Sequence, residues 1–271
     1  MRDYPAAKDA LRASMAELVQ SKGMLTGLTV CYGDARHCHG VYVGNAREVL
    51  FEDGGLKQAP VAIDRDSLYD IASLTKLFTL ISALMLVERG KMAFEDRLTR
   101  LDPRFGALGD CTLLELLSYE AVLKTPERVD AQKDREAALG QVFRTYRAKE
   151  EGPRLYSDMN ALVLKYLIEA VSGQVYHVFL RENILGPLDM RDSFVKVPAQ
   201  RAECLLDYNH EHRVLGGRHV RLENNTPGLP HDPKARLLGN RGEDLAGHAG
   251  LFATAQDMCK FATGLLDGRL I

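Results

Sequence analysis

Apolar residues at helical spacing open the chain. Leu11, Met15, Leu18 and Val19 recur at three- and four-residue intervals, which predicts an amphipathic helix over 6–20 that stops before Gly23. Residues 25–32, Leu-Thr-Gly-Leu-Thr-Val-Cys-Tyr, are β-rich. Gly33-Asp34 reads as a turn, 39–44 as a second strand and 48–51 as a third, giving a meander behind an N-terminal helix. The pattern then changes. Residues 77–87, Leu-Phe-Thr-Leu-Ile-Ser-Ala-Leu-Met-Leu-Val, are apolar on almost every side, so this helix is buried rather than one-faced. Gly90 supplies the left-handed residue just past its end. The run is too short to span a bilayer and carries Lys76 at its head.

Further along, Thr112 and Glu115 form a capping box that starts a short helix. Residues 128–149 are charged and loosely helical, with Leu139, Val142, Phe143 and Tyr146 on one side. A helix over 159–171 carries Leu162, Val163, Tyr166, Leu167 and Val171 and stops at Ser172-Gly173. Another covers 176–184 before Gly186-Pro187. Residues 191–240 read as a long loop region with short strands around 204–208 and 219–222. Residues 246–252 are strand-like, and Thr254 with Asp257 caps a final helix through 266.

Composition narrows the classes. With 46% apolar and 27% charged residues and a formal charge of −2, the chain reads as an ordinary globular protein, with no basic surface for nucleic acid or membranes. Its five cysteines are scattered, without a Cys-x-x-Cys pair, which suits reduced thiols. The first residues lack an apolar leader, so a cytoplasmic location is expected. His210, His212, His219 and His231 have no metal spacing, and neither metal nor cofactor is expected.

The candidate chemistry lies at the head of the buried helix. Ser73 and Lys76, three apart in its first turn, share one face. A serine hydroxyl needs an adjacent base. Burial and a helix N-terminus both disfavour an ammonium charge, so a neutral lysine there can take the serine proton. Residues 70–76 (Asp-Ile-Ala-Ser-Leu-Thr-Lys), 155–158 (Leu-Tyr-Ser-Asp), 183–190 (Asn-Ile-Leu-Gly-Pro-Leu-Asp-Met) and 247–254 (Gly-His-Ala-Gly-Leu-Phe-Ala-Thr) occur in order. Together they resemble the serine β-lactamase-related superfamily, in the branch of class C β-lactamases, D-alanyl-D-alanine carboxypeptidases and related esterases.

The resemblance implies an acylated Ser73, Lys76 as its base partner and Tyr156 as the tyrosine of a Tyr-x-Asn motif that moves protons with the lysine. Tyr156 equally suits simple packing before a helix. Asp158 stands where the class C pattern has asparagine, as a substrate contact or as the N-cap of the next helix. A carboxylate cannot donate to a substrate carbonyl as an amide does, which argues against a strict β-lactamase. The Ser73 backbone N–H would be one oxyanion donor. In the family the second follows a Lys-Thr-Gly or His-Thr-Gly motif.

His248-Ala249-Gly250 is only superficially similar to that third motif. The resemblance places it in a segment ahead of the motif, with His231-Asp232 part of the loop architecture, and His248 suits a structural histidine bonded to a loop carbonyl better than a catalytic one. The chain is therefore expected to be the front part of such a protein. A separate or missing C-terminal polypeptide, or a second copy, would complete the sheet.

The expected fold is α+β and β-lactamase/transpeptidase-like: an antiparallel sheet flanked by helices, with a mostly helical inserted region. One domain would run through 1–271, as meander (1–66), helical region (67–245) and return segment (246–271). The expected activity is hydrolysis of an ester, a β-lactam or a D-Ala-type amide, from a small-molecule or peptidoglycan-derived acyl substrate. The rival is a β-lactamase-like binding or scaffold protein without turnover.

Overall fold

The computed structural model describes residues 5–34, 37–52, 55–148, 155–206, 212–215, 218–221, 228–239 and 243–271. In chain order the elements are α1 (Pro5–Ala16), β1 (Gly27–Gly33), β2 (Cys38–Glu52), β3 (Gly55–Ala62), β4 (Leu68–Asp70), α2 (Thr75–Glu88), α3 (Leu98–Leu101), α4 (Leu113–Leu117), β5 (Leu123–Lys124), α5 (Arg135–Phe143), β6 (Tyr146–Arg147), α6 (Asp158–Ser172), α7 (Tyr176–Leu180), β7 (Ser193–Phe194), β8 (His212–Leu215), β9 (Arg218–Arg221), α8 (Pro233–Leu238), β10 (Phe252–Thr254) and α9 (Ala255–Leu266). They fall into two compact units. The first comprises 1–70, 189–229 and 252–267, and the second 71–188, 230–251 and 268–271.

The first unit is built on an antiparallel meander, β1-β2-β3. Its register pairs Leu28 with Val43 and Val30 with Val41, so these four share a face. Met15 of α1 packs on Val41 and Val43, with Leu11 and Val19 around them. Thr29, Cys31 and Tyr42 point the other way, where Gln256 of α9 donates to the Tyr42 hydroxyl at 2.8 Å. The period-two pattern thus gives a helix on each face. The expected third strand at 48–51 is instead the far end of β2, which runs on through irregularities between Asn45 and Val49 and pairs with β3. Antiparallel β10 lies between β4 and β7, where Leu68, Leu205 and Phe252 form a small core.

The long region 191–240 holds more structure than its composition suggests. Cys204 ends a 3-10 turn and Leu205 makes only an isolated bridge to Leu68, so 204–206 is not a strand, while 207–211 lie outside the described residues. The strand expected at 219–222 is β9, and Leu222 lies outside the described residues. Within 246–252 only Phe252 is in a strand. Thr254 caps α9 as expected, accepting from the Asp257 amide.

The second unit is helical around α2 and α6, both buried over most of their length. The Thr112–Glu115 capping box forms on α4, and Gly173 ends α6 at φ +70°. In α6, Lys165 is nearly inaccessible and lies 2.9 Å from Glu169 and 3.1 Å from Asp244. No helix among the described residues is long and apolar enough to cross a membrane.

Phe252 is fully buried between β4 and β7. Phe252→Ala should lower stability by about 3–5 kcal/mol in urea denaturation. A loss below about 1 kcal/mol would mean that this core does not hold the strands together.

Candidate active site

Ser73 lies in a 3-10 turn, Ala72–Leu74, that feeds straight into α2. Ala72, just before it, has φ +45°. That left-handed conformation costs an L-residue roughly 1–2 kcal/mol, so the turn presenting the serine is strained. Ser73 is exposed while Lys76 is buried, and Lys76 Nζ lies 2.8 Å from Ser73 Oγ, donating to it. The spacing of three does what the sequence implies.

Lys76 has two further partners. Asp158 Oδ1 lies 2.8 Å from Nζ, and the His248 backbone carbonyl accepts from Nζ at 3.1 Å. The bare, charge-disfavouring surroundings expected from the apolar helix are therefore not what the side chain meets, because a carboxylate offsets its charge. Asp158 is not the N-cap of α6 either. Ser157 fills that role, accepting from the Met159 amide, which leaves the Asp158 carboxylate free to turn toward the lysine. Its other oxygen, Oδ2, lies 2.7 Å from Lys234 Nζ. Burial pushes Asp158 up, but the bonds from Lys234 and Lys76 outweigh it and hold the carboxyl below the usual range. Burial alone would lower Lys234; its bond to Asp158 raises it instead.

The segment 247–251 is tied to α2 by the polar side chains of an otherwise greasy helix. Thr79 Oγ1 donates to the Gly247 carbonyl at 2.6 Å, Lys76 reaches the next carbonyl, and the Leu251 amide donates to Thr75 Oγ1 at 3.3 Å. Gly247 has φ +88°, and a Cβ there would sit 2.7 Å from the Lys165 Cβ, so only glycine fits. His248 is inaccessible. Its Nε2 meets the Asp232 carboxylate at 2.8 Å rather than a loop carbonyl. A carboxylate only accepts, so Nε2 carries the hydrogen. Asp232 also caps α8, which carries Lys234, by accepting from the Ala235 amide at 2.9 Å.

Tyr156 does not hydrogen-bond to Lys76. Its ring centroid lies 5.0 Å from Nζ, and the ring stacks on Tyr119 at 5.9 Å. This is a cation–π contact of an exposed ring, and the ring bounds one side of a cavity of ≈ 460 Å³ beside Ser73. Asn160 lines the same cavity. Its Nδ2 donates to the Leu116 carbonyl, while its buried Oδ1 has no partner.

Asp158, Asp232 and His248 offer atoms within 4.8 Å of one another, a spacing a metal could use. Both Asp158 oxygens already face lysines and Asp232 holds His248, so the chain's own cations neutralise the cluster.

The β-lactamase family model matches residues 14–271, and the chain belongs to that family. It is 26% identical over 243 residues to an Escherichia coli K12 protein named "Putative D-alanyl-D-alanine carboxypeptidase", covering 80% of this chain and 55% of that one. The chain thus spans about half the length of the curated relatives it matches. Among solved structures, FmtA from Staphylococcus aureus superposes with a TM-score of 0.72 at 19% identity, over 98% of this chain and 68% of the other. A class C β-lactamase from Rhodobacter sphaeroides gives 0.65 at 21% identity, over 94% and 64%. The D-alanine carboxypeptidase AmpC from Burkholderia cenocepacia gives 0.67 at 17%, over 96% and 65%. These likenesses establish the β-lactamase/transpeptidase-like fold.

Asp232 supplies a pH test. Burial pushes it up, but the His248 bond and charge, with the Ala235 amide and Lys234, hold it far below the usual carboxylate range. A depressed carboxylate adds stability above its unfolded value, near pH 4, and loses it as pH falls toward the folded value. Urea midpoints should therefore drop below about pH 4. Asp232→Asn should be less stable at neutral pH and show a flatter acid limb. Parallel curves would remove the buried pair from the account.

Proposed function

We propose that this chain is a serine acyl hydrolase in which Ser73 is the nucleophile. The observation that carries the reading is the 2.8 Å contact between an exposed Ser73 Oγ and a buried Lys76 Nζ at the mouth of a cavity. In acylation, Oγ attacks the substrate carbonyl and its proton passes to Lys76 as a free amine. The Ser73 backbone N–H supports the oxyanion. Collapse of the tetrahedral intermediate expels the alcohol or amine, which takes a proton from Lys76 or, once its hydroxyl swings inward, Tyr156. Water then repeats the sequence on the acyl-enzyme and frees the acid. The substrate is an ester, a β-lactam or a D-Ala-type amide; the family's name supports the β-lactam and the relatives' names the D-Ala-type amide, while the ester rests on the serine acyl chemistry.

One observation favours a second reading, ligand binding without turnover. Lys76 donates to Ser73 and is paired with Asp158, a resting arrangement that opposes proton uptake by the lysine. In this reading Asp158 is a brake as well as a substrate contact.

The test is intact-protein mass after incubation with a fluorophosphonate and, separately, a penicillin. One adduct on Ser73 is expected, absent from Ser73→Ala, and Lys76→Ala should slow its formation by roughly 10²–10⁴-fold. A folded chain that takes no adduct would refute the hydrolase. If Asp158→Asn then gained reactivity, the binding reading with Asp158 as a brake would stand.

A further inference from the structure

Building on the hydrolase reading, we propose that the cavity beside Ser73 is an acyl pocket, and that the substrate is an ester of an apolar, medium-chain acyl group. The cavity, ≈ 460 Å³, falls within the ~300–1,000 Å³ of small-molecule sites. Its walls are mostly leucine, Leu74, Leu77, Leu80, Leu116, Leu117 and Leu164, with Tyr119, Tyr156 and Asn160 as the polar side chains besides Ser73 and Lys76. Ser73, Leu77 and Leu80 recur at helical spacing, so the nucleophile caps an apolar stripe that runs away from it.

Leu74, in the turn before α2, and Leu77, on α2, are large and apolar yet 49% and 42% exposed, while most other apolar side chains of α2 are buried. Exposure of this kind at a reactive group marks a binding surface. Among the described lining side chains Lys76 alone is charged, and Asp158 and the His248 carbonyl already hold it. Lys234, the nearest further cation of the network, is not on the wall and is paired with Asp158. Among the described residues, no cation on this wall is left without a partner to meet a substrate carboxylate, whereas an alkyl chain would displace water from leucine. The lining therefore favours a fatty-acyl ester over a D-alanyl peptide.

The experiment is hydrolysis of p-nitrophenyl acetate, butyrate, hexanoate and octanoate by the 271-residue chain. Expected is a rise in kcat/KM of roughly fourfold per added methylene until the pocket is full. Leu80→Trp, which fills the cavity, should lower the octanoate-to-acetate ratio at least tenfold. Leu77→Trp, nearer solvent on the same stripe, serves if Leu80→Trp does not fold. A flat or falling chain-length profile overturns the pocket while leaving the hydrolase intact. Binding decides it without turnover. In Ser73→Ala, methyl octanoate should bind at least tenfold more tightly than methyl acetate by calorimetry, and equal affinities overturn the proposal. Failure of Ser73 to react with any ester or fluorophosphonate would instead count against the hydrolase reading, with the calorimetry still ruling on the pocket.

Discussion

The geometry around the serine depends on one interaction: Lys76 Nζ is held at once by Ser73 Oγ, Asp158 Oδ1 and the His248 carbonyl. These partners come from the head of α2, the head of α6 and the segment 247–251. A lysine on an apolar helix is costly to bury unless its charge and hydrogens are all satisfied. Satisfying them fixes where the three pieces of backbone meet. The same helix adds Thr75 and Thr79, which bond 247–251 on either side of the lysine contact. Polar residues at 75, 76 and 79 are thus the rivets of an element whose other buried positions are apolar, apart from Ser82, which bonds its own helix at the Phe78 carbonyl.

From Lys76 the charges close into a ring. Asp158 joins Lys76 to Lys234; α8 joins Lys234 to its own cap, Asp232; Asp232 bonds His248; and the His248 carbonyl returns to Lys76. Removing one member leaves a neighbour buried and unpaired, which costs more than the pair itself contributes. The ring also explains the carboxylate at 158. An amide there could donate to a substrate but could not neutralise two lysines. The carboxylate at 158 is thus a clamp between two cations, Lys76 and Lys234.

The sequence was legible where local rules act alone. The amphipathic α1, the apolar α2, the left-handed residue at Gly90 (φ +65°), the box at Thr112 and the cap at Thr254 follow from spacing and caps within a few residues. Ser73 and Lys76 were legible for the same reason, since three residues on one helix must be neighbours. The contacts of Asp158 and His248 follow from no local rule: Lys234 lies 76 residues from Asp158, Lys76 lies 172 from the His248 carbonyl that it reaches, and the His248 ring meets Asp232 across 16 residues. Lys234 passed unnoticed inside a stretch taken for loop. Its signal was Asp232-Pro233, an N-cap followed by proline at the first helical position, which marks a helix start. The strain at Ala72 had no signal at all, because alanine suggests nothing left-handed.

The site divides its work between two sides of α2. One side is polar, closed and over-determined: the lysine, its carboxylate and the histidine segment leave little room for a ligand. The other is the leucine stripe, where the cavity's polar groups besides Ser73 and Lys76 are Asn160 and the two tyrosines, Tyr119 and Tyr156. On the proposed reading, a ligand entering beside Ser73 would gain affinity mainly from the leucines and meet chemistry at the serine. Such a partition would give loose specificity for the shape of the apolar group and strict placement of the carbonyl. Residues along the stripe can change with modest effect on the lysine network, since they share a helix with it but none of its bonds. Changes to the network, in contrast, would reach Ser73 through Lys76 whatever group occupies the cavity. On the proposed acyl-pocket reading, that independence would let the leucines rather than the charges set which acyl group fits.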